Sequence, residues 1–284
     1  MGFNSIKSLV DSMDAGKVQL SSFRKVFTQS STAGYWVDFS MGTGNPNTNY
    51  YASTPLESAR LVSNNGIYAG QNAAPDAKFL KSIMVMGTST MAPITLMLCD
   101  YLLYYPFIDG DSLDEQIFDN TVSLPRYTDG LGVKAFIVAQ GSYIGNARFV
   151  MKYTNELGVS GRTSIFSRAG LSPTPSAGTI VSSGLAAGMT GPFIPLQVGD
   201  KGIRSVESFT FETSNGGIFA LVLCVPIATT SIREINAAVE KDFVTDTGLA
   251  CPKIQDGAYL NFIGLPNGNI QSQQIIGTVE IVTG

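Results

Sequence analysis

The sequence predicts a mainly β protein: an antiparallel β-sandwich or jelly-roll-like body, with a short N-terminal helix and one further helix near 231–241. Three observations predict it. Apolar and polar residues alternate with period two in several short stretches, the spacing of a half-buried strand. Turn signals rich in Gly and Asn separate those stretches. The regular strand–helix alternation that a parallel α/β sheet requires is missing from the pattern. At 284 residues the chain suffices for one large β domain or two smaller ones.

The helix comes first. Ile6, Leu9, Val10 and Met13 fall at i, i+3, i+4 and i+7, one face of a helix, with Asn4 or Ser5 as its cap and Asp14-Ala15-Gly16 as its stop. The chain then divides into an N-terminal helical arm over 1–30 and a β-rich body over 31–284. In the body, Tyr35, Val37 and Phe39 alternate with Trp36, Asp38 and Ser40. Phe149, Met151 and Tyr153, then Phe209 and Phe211, then Val279 and Ile281, repeat the pattern. Buried strands without alternation are expected over 83–86, 94–105, 133–139 and 218–225. Turns are expected at Gly42-Thr43-Gly44-Asn45-Pro46, Asn64-Asn65-Gly66, Asp129-Gly130, Asn215-Gly216-Gly217, Asp256-Gly257 and Asn267-Gly268. Ser231-Ile232-Arg233-Glu234 has the form of a capping box, and Ile232, Ile235, Ala238 and Val239 supply a helical stripe behind it. The stretch 171–191, rich in Ser, Pro, Gly, Ala and Thr, is either an extended loop or a hinge joining two β halves.

Charge narrows the function. Charged residues make up 14% of the chain, against about 25% in an average soluble domain. Two readings stand side by side: a surface covered by neighbouring subunits, or a polar face built from Ser, Thr, Asn and Gly. The net charge of −4 comes with no cluster of Lys and Arg, which argues against nucleic acid as a partner. Cys99, Cys224 and Cys251 are odd in number and far apart, so no disulfide framework is expected. The longest apolar stretch, 93–108, is interrupted by Asp100 and Pro106, too broken to span a bilayer. With no signal-peptide pattern at the start, folding in a cytosol is the expectation and a membrane partner is not.

The chain contains no histidine. That removes Ser-His-Asp and Cys-His catalysis, most zinc sites and the usual neutral-pH base. No phosphate-binding or dinucleotide-binding glycine loop occurs, so no cofactor is expected. Carboxylate chemistry survives the filter. Asp109, Asp111, Asp114, Glu115 and Asp119 form the one dense acidic group, read as a solvated turn. Weak cation binding by Asp109, Asp111 and Asp114, or glycoside hydrolysis by a carboxylate pair, are the alternatives. Tyr50–Tyr51 and Tyr104–Tyr105 are adjacent pairs whose members point to opposite faces of a strand, so one of each packs inward while the other meets a partner or a sugar. Phe193, Ile194 and Leu196 lie between prolines in Gly191-Pro192-Phe193-Ile194-Pro195-Leu196, a run that cannot be a regular central strand. They either fold back on their own core or dock on a neighbouring subunit. The candidate interface residues are therefore Phe193, Ile194, Leu196, Tyr50 and Tyr51.

Several segments resemble a family of uncharacterised virion-associated structural proteins of tailed bacteriophages. They are Gly34-Tyr35-Trp36-Val37-Asp38-Phe39-Ser40-Met41-Gly42-Thr43-Gly44-Asn45-Pro46, Leu102-Leu103-Tyr104-Tyr105-Pro106, Leu124-Pro125-Arg126-Tyr127-Thr128-Asp129-Gly130, Tyr153-Thr154-Asn155, 158–162, 191–196, Gly199-Asp200, 202–206 and the turn Asp256-Gly257-Ala258. The resemblance runs over most of the chain. It implies a virion component assembled in the host cytoplasm, with a head decoration or minor capsid role, and it supplies no catalytic residue. The expected function is a non-enzymatic, capsid-associated protein that contacts the major capsid protein and forms a homo-oligomer, with a trimer favoured. A tail or baseplate component that binds host glycan and a carboxylate-dependent glycan hydrolase are the alternatives.

Overall fold

The computed structural model describes residues 3–61, 65–88, 93–170, 176–182 and 191–284. Helix α1 (Ile6–Asp14) opens the chain. The strands follow in order: β1 (Val18–Phe27), β2 (Val37–Asp38), β3 (Thr43–Asn45), β4 (Ala59–Arg60), β5 (Lys78–Gly87), β6 (Ile94–Asp109), β7 (Gln116–Ile117), β8 (Lys134–Ala139), β9 (Arg148–Asn155), β10 (Arg162–Thr163), β11 (Ser167–Arg168), β12 (Ile203–Phe211), β13 (Ile218–Ile232) and β14 (Val239–Asp242). Helix α2 (Phe243–Thr247), β15 (Lys253–Ile254), β16 (Leu260–Pro266) and β17 (Gln273–Thr283) complete it. Strands dominate and their ladders are antiparallel, a β-sandwich as the period-two pattern predicts. Among the described residues no helix is long and apolar enough to cross a membrane.

Three sheets share the work. A central sheet runs β2-β16-β6-β13-β8, a first outer sheet β14-β5-β17-β1-β3, and a second outer sheet β10-β9-β12-β7. The 16-residue β6 and 15-residue β13 are the spine, pairing along nearly their whole length. Leu96 and Leu98 of β6 pack with Phe23, Leu80, Ile83 and Val279 of the first outer sheet. Farther along, Leu102, Tyr105 and Ile108 pack with Phe149, Met151, Val206 and Phe209 of the second. The other face of the strand, with Cys99, Tyr101 and, past a register shift against β13, Tyr104, meets Trp36, Tyr51 and Ile180 in a third cluster. Each fully buried Leu, Ile, Val or Phe contributes roughly 1.5–3 kcal/mol by leaving water, so the alternation along one pair of strands organises three cores at once. Tyr104 and Tyr105 go to opposite faces, as adjacent strand residues must. The three cysteines are buried and free.

Several expectations need correction. Residues 18–27, assigned to a helical arm, form β1 and pair in full register with β17; only α1 lies outside the sheets. The period-two signal of β1 is masked because Lys25 occupies an inward position between Phe23 and Phe27, fully buried, its Nζ donating to the Ser40 and Pro46 carbonyls at 3.2 and 3.0 Å. On α1 only Leu9 of the apolar face is buried; Ile6 and Val10 are exposed.

The helix expected over 231–241 does not form. Pairing of Ile232 with Ile94 carries β13 through the would-be cap, a turn with Asn236 at φ 57° follows, and β14 pairs with β5. Main-chain hydrogen bonds to an existing strand outweigh a local helical stripe. A one-turn helix forms later instead, capped by Asp242 and closed by Gly248 at φ 61°. Residues 35–40 were expected to alternate between core and solvent, but all six are buried, with only Val37–Asp38 in a strand. Much of 171–191 lies outside the described residues, as does Asn64. Within the stretch, the 178–182 segment runs along β8, Ala139 N–H donating to the Thr179 carbonyl and Val181 N–H to that of Ile137.

Candidate functional site

The buried ionic groups come first, because a chain with so few charges has placed several inside. Asp38 has no solvent exposure and accepts from the hydroxyls of Tyr51, Tyr101 and Ser40 and from the Ser40 amide. Burial pushes its carboxyl up, against those four donors. Burial likewise draws Lys25 down to about 8, with Asp38 pulling the other way. Asp100, also without exposure, takes a bidentate pair from Arg126 at 2.9 and 2.6 Å and the Tyr259 amide at 3.0 Å. Each group is hydrogen-bonded within its own chain and closed to solvent. The arrangement locks sheets together and leaves no lone pair or proton facing a substrate.

Asp200 organises the surface. Arg162 donates to it through Nε and Nη2 at 2.9 and 3.0 Å, the Tyr153 hydroxyl at 2.6 Å and the Asn155 amide at 2.8 Å. The Arg162 hydrogen bonds above all hold its carboxyl down at about 2. These bonds tie the loop before β12 to the β9–β10 hairpin. The tie is reinforced where Gln197 N–H donates to the Tyr153 hydroxyl at 2.9 Å and Ile165 N–H to the Pro195 carbonyl at 3.0 Å. In the hairpin, the Asn155 side chain accepts from the amides of Leu157 and Val159. The segments so joined present Leu157 (78% exposed), Val198 (88% exposed), Val159, Ile165 and Phe166 to solvent. The Arg148 guanidinium stacks 4.7 Å from the Phe166 ring centroid. Large apolar side chains fixed in place on a polar scaffold are what an interaction surface requires.

The residues singled out in the sequence separate. Ile194 is buried in the second core and accordingly unavailable as a contact; Phe193 and Leu196 are half-buried against the third and second clusters. The run folds back on its own chain, and it is Val198, just beyond it, that reaches solvent. Tyr51 is likewise buried, its hydroxyl on Asp38, whereas Tyr50 is 68% exposed. All three acidic residues are exposed, Asp109 as the last residue of β6 and Asp111 and Asp114 in the connection from β6 to β7. The Asp109 carboxylate accepts from the Asp111 amide, Asp111 accepts from the Ser214 hydroxyl, and Glu115 pairs with Lys152 at 2.7 Å. Among the described residues no three His, Cys, Asp or Glu side chains stand together as metal ligands. The Asp200 hub escaped sequence reasoning, because its three partners, Tyr153, Asn155 and Arg162, come from positions 38 to 47 residues away.

No family model matches the chain, and no curated protein matches it. Among solved structures, the infectious bursal disease virus VP2 subviral particle aligns at 8% identity and TM-score 0.17, over 93% of this chain and 80% of that one. The Gx strain of the same virus aligns at 10% identity and TM-score 0.21, over 94% and 80%. Scores this low carry no argument about fold or function.

Proposed function

We propose that this chain is a non-enzymatic structural protein of a tailed-bacteriophage virion: a decoration or minor capsid protein that binds the major capsid protein and its own copies, most simply as a trimer. The observation that carries the reading is the set of exposed apolar side chains Leu157, Val159, Ile165, Phe166 and Val198 on the segments around the Asp200 hub, which ties the hairpin of Leu157 and Val159 to the loop of Val198. Burying such side chains against a neighbour gains roughly 1.5–3 kcal/mol each, and segments already tied together lose less conformational entropy on docking. The charge-poor composition and the resemblance of the segments 34–46, 102–106, 124–130, 153–155, 158–162, 191–196, 199–200 and 202–206 to virion proteins point the same way. The saturated, solvent-free carboxylates Asp38 and Asp100 support a role without turnover.

Particle stoichiometry tests the placement. Quantitative mass spectrometry of purified virions is expected to find hundreds of copies per particle; a few dozen or fewer would move the protein to the tail or baseplate. Sedimentation at micromolar concentration is expected to show an oligomer that the Leu157→Lys/Val198→Lys double variant converts to monomer, with loss of binding to heads. A wild-type chain that sediments only as monomer and ignores heads would sink the reading.

A further inference from the structure

We infer that the cleft beside Tyr50 is a binding site for an uncharged oligosaccharide. This goes beyond the virion assignment and does not depend on where in the particle the protein sits. The cleft encloses about 650 Å³, within the roughly 300–1,000 Å³ of small-molecule sites. Half-buried Met41 and Phe107 form part of its wall, and Tyr50, 68% exposed, stands at its rim.

Three observations carry the inference. First, no lining residue among the described residues is charged. Phosphate, carboxylate and ammonium ligands would find no counter-charge there, whereas sugar hydroxyls need neutral donors and acceptors. Second, the rim offers them: Gln29, Thr43 and Ser142 line the cleft, their side chains making no hydrogen bond to another described residue, while Tyr50 presents a ring to an apolar sugar face. Third, the cleft is built on strained backbone. Phe107 sits at φ 59° and Tyr51 at φ 51°, conformations costly for bulky side chains. Phe107 falls in a bulge, where Tyr105 to Ile108 of β6 lie opposite Leu221 to Phe219 of β13; bulges re-aim side chains beside binding sites. One amide latches both strained segments. Gln140 Oε1 accepts the Phe107 N–H at 3.0 Å, and its Nε2 donates to the Tyr50 and Tyr51 carbonyls, each at 3.2 Å.

The test uses the full chain on an array of neutral di- to hexasaccharides, followed by calorimetric titration of the strongest hit. Binding is expected, and Tyr50→Ala is expected to weaken it roughly tenfold or more, about 1.4 kcal/mol. Thr43→Glu, which puts a charge on the rim, is expected to weaken it without changing the melting temperature, and Gln140→Ala to weaken it by releasing the walls. Leu157→Lys/Val198→Lys is expected to leave sugar binding intact, so the two readings fail separately. No neutral hit at millimolar sugar overturns the inference. So does a hit bound equally well by the Tyr50 and Thr43 variants, a preference for charged glycans, or a second copy of the chain found to occupy the cleft.

Discussion

Arg126→Met tests the idea that the buried ionic groups are structural locks. In the native chain Asp100 has no exposure and Arg126 only 10%, and the guanidinium supplies two of the three donors on that carboxylate while also bonding the Tyr101 carbonyl at 3.0 Å. Methionine keeps much of the length and removes every donor. One backbone amide then remains for a carboxylate sealed between β6 and β16. Breaking a buried pair on one side costs about 3–5 kcal/mol, or roughly 5–10 °C in Tm for a chain of this size. The sign of the pH dependence is fixed as well. Burial raises the Asp100 carboxyl even with Arg126 present, so its contribution to stability is complete below the unfolded value of about 3.9 and is lost as pH rises through the folded one. Without Arg126 the folded value rises further, and the variant must recover stability on acidification relative to the native chain.

Trp36 is the single tryptophan and packs in the cluster beside Tyr101, so its fluorescence reports urea unfolding directly. The Asp100→Leu/Arg126→Met double variant removes both charges and is expected to regain most of the loss, since an apolar pair of similar volume replaces a buried ion pair at little cost. A single variant within 1 kcal/mol of native, a deficit that does not shrink on acidification, or a double variant no better than the single, would each refute the argument.

Asp200 has the opposite sign. Its folded value is depressed to about 2, so its contribution is present above the unfolded range of about 3.9 and lost as pH falls towards 2; Asp200→Asn is expected to flatten that acid limb in a stability–pH profile. Neutralising Asp109, Asp111 and Asp114 together to Asn is expected to shift stability by no more than about 1 kcal/mol, with no hydrolysis of glycan substrates lost, because all three are exposed and Asp109 and Asp111 each accept a single hydrogen bond, from the Asp111 amide and the Ser214 hydroxyl. Measured turnover that disappears in the folded triple variant would promote the hydrolase reading instead.

What the sequence made legible was whatever a local period encodes. Strands β9 and β17 alternate over most of their length, as do Phe209 and Phe211 at the end of β12, and the mainly apolar runs of β6, β8 and β13 announce strands buried on both faces. Long-range satisfaction was invisible. Lys25 faces inward because two carbonyls 15 and 21 residues away accept its protons, and Asp38 because Tyr101, 63 residues on, meets it. Polarity alone would put both on the solvent face. The Ser231 capping box failed for a related reason: its residues belong to a ladder whose partner lies far upstream at Ile94. Of the candidate contacts, Tyr50 does diverge from Tyr51, but the two lie in the loop between β3 and β4 and not on the expected strand. Val198 was not legible, because a lone valine beside Gly199-Asp200 carries no pattern.

The placement of charge explains why composition understates how apolar this surface is. Lys25, Lys78, Asp38 and Asp100 are almost wholly withdrawn from solvent, and Asp200 and Arg126 nearly so. They are drawn from a pool that is already only 14% of the chain. What remains outside is thinner in charge than the sequence implies, while Leu157, Val198 and their neighbours stand in water. The same residue does both jobs on one side of the molecule. Asp200 draws Arg162, Tyr153 and Asn155 inward, and in doing so it fixes the hairpin and loop from which the apolar side chains project. Polar atoms satisfied internally cost nothing further to desolvate when a neighbour covers them. A docking partner therefore meets apolar side chains backed by saturated polar groups, the combination that lets a contact surface exclude water without stranding a charge.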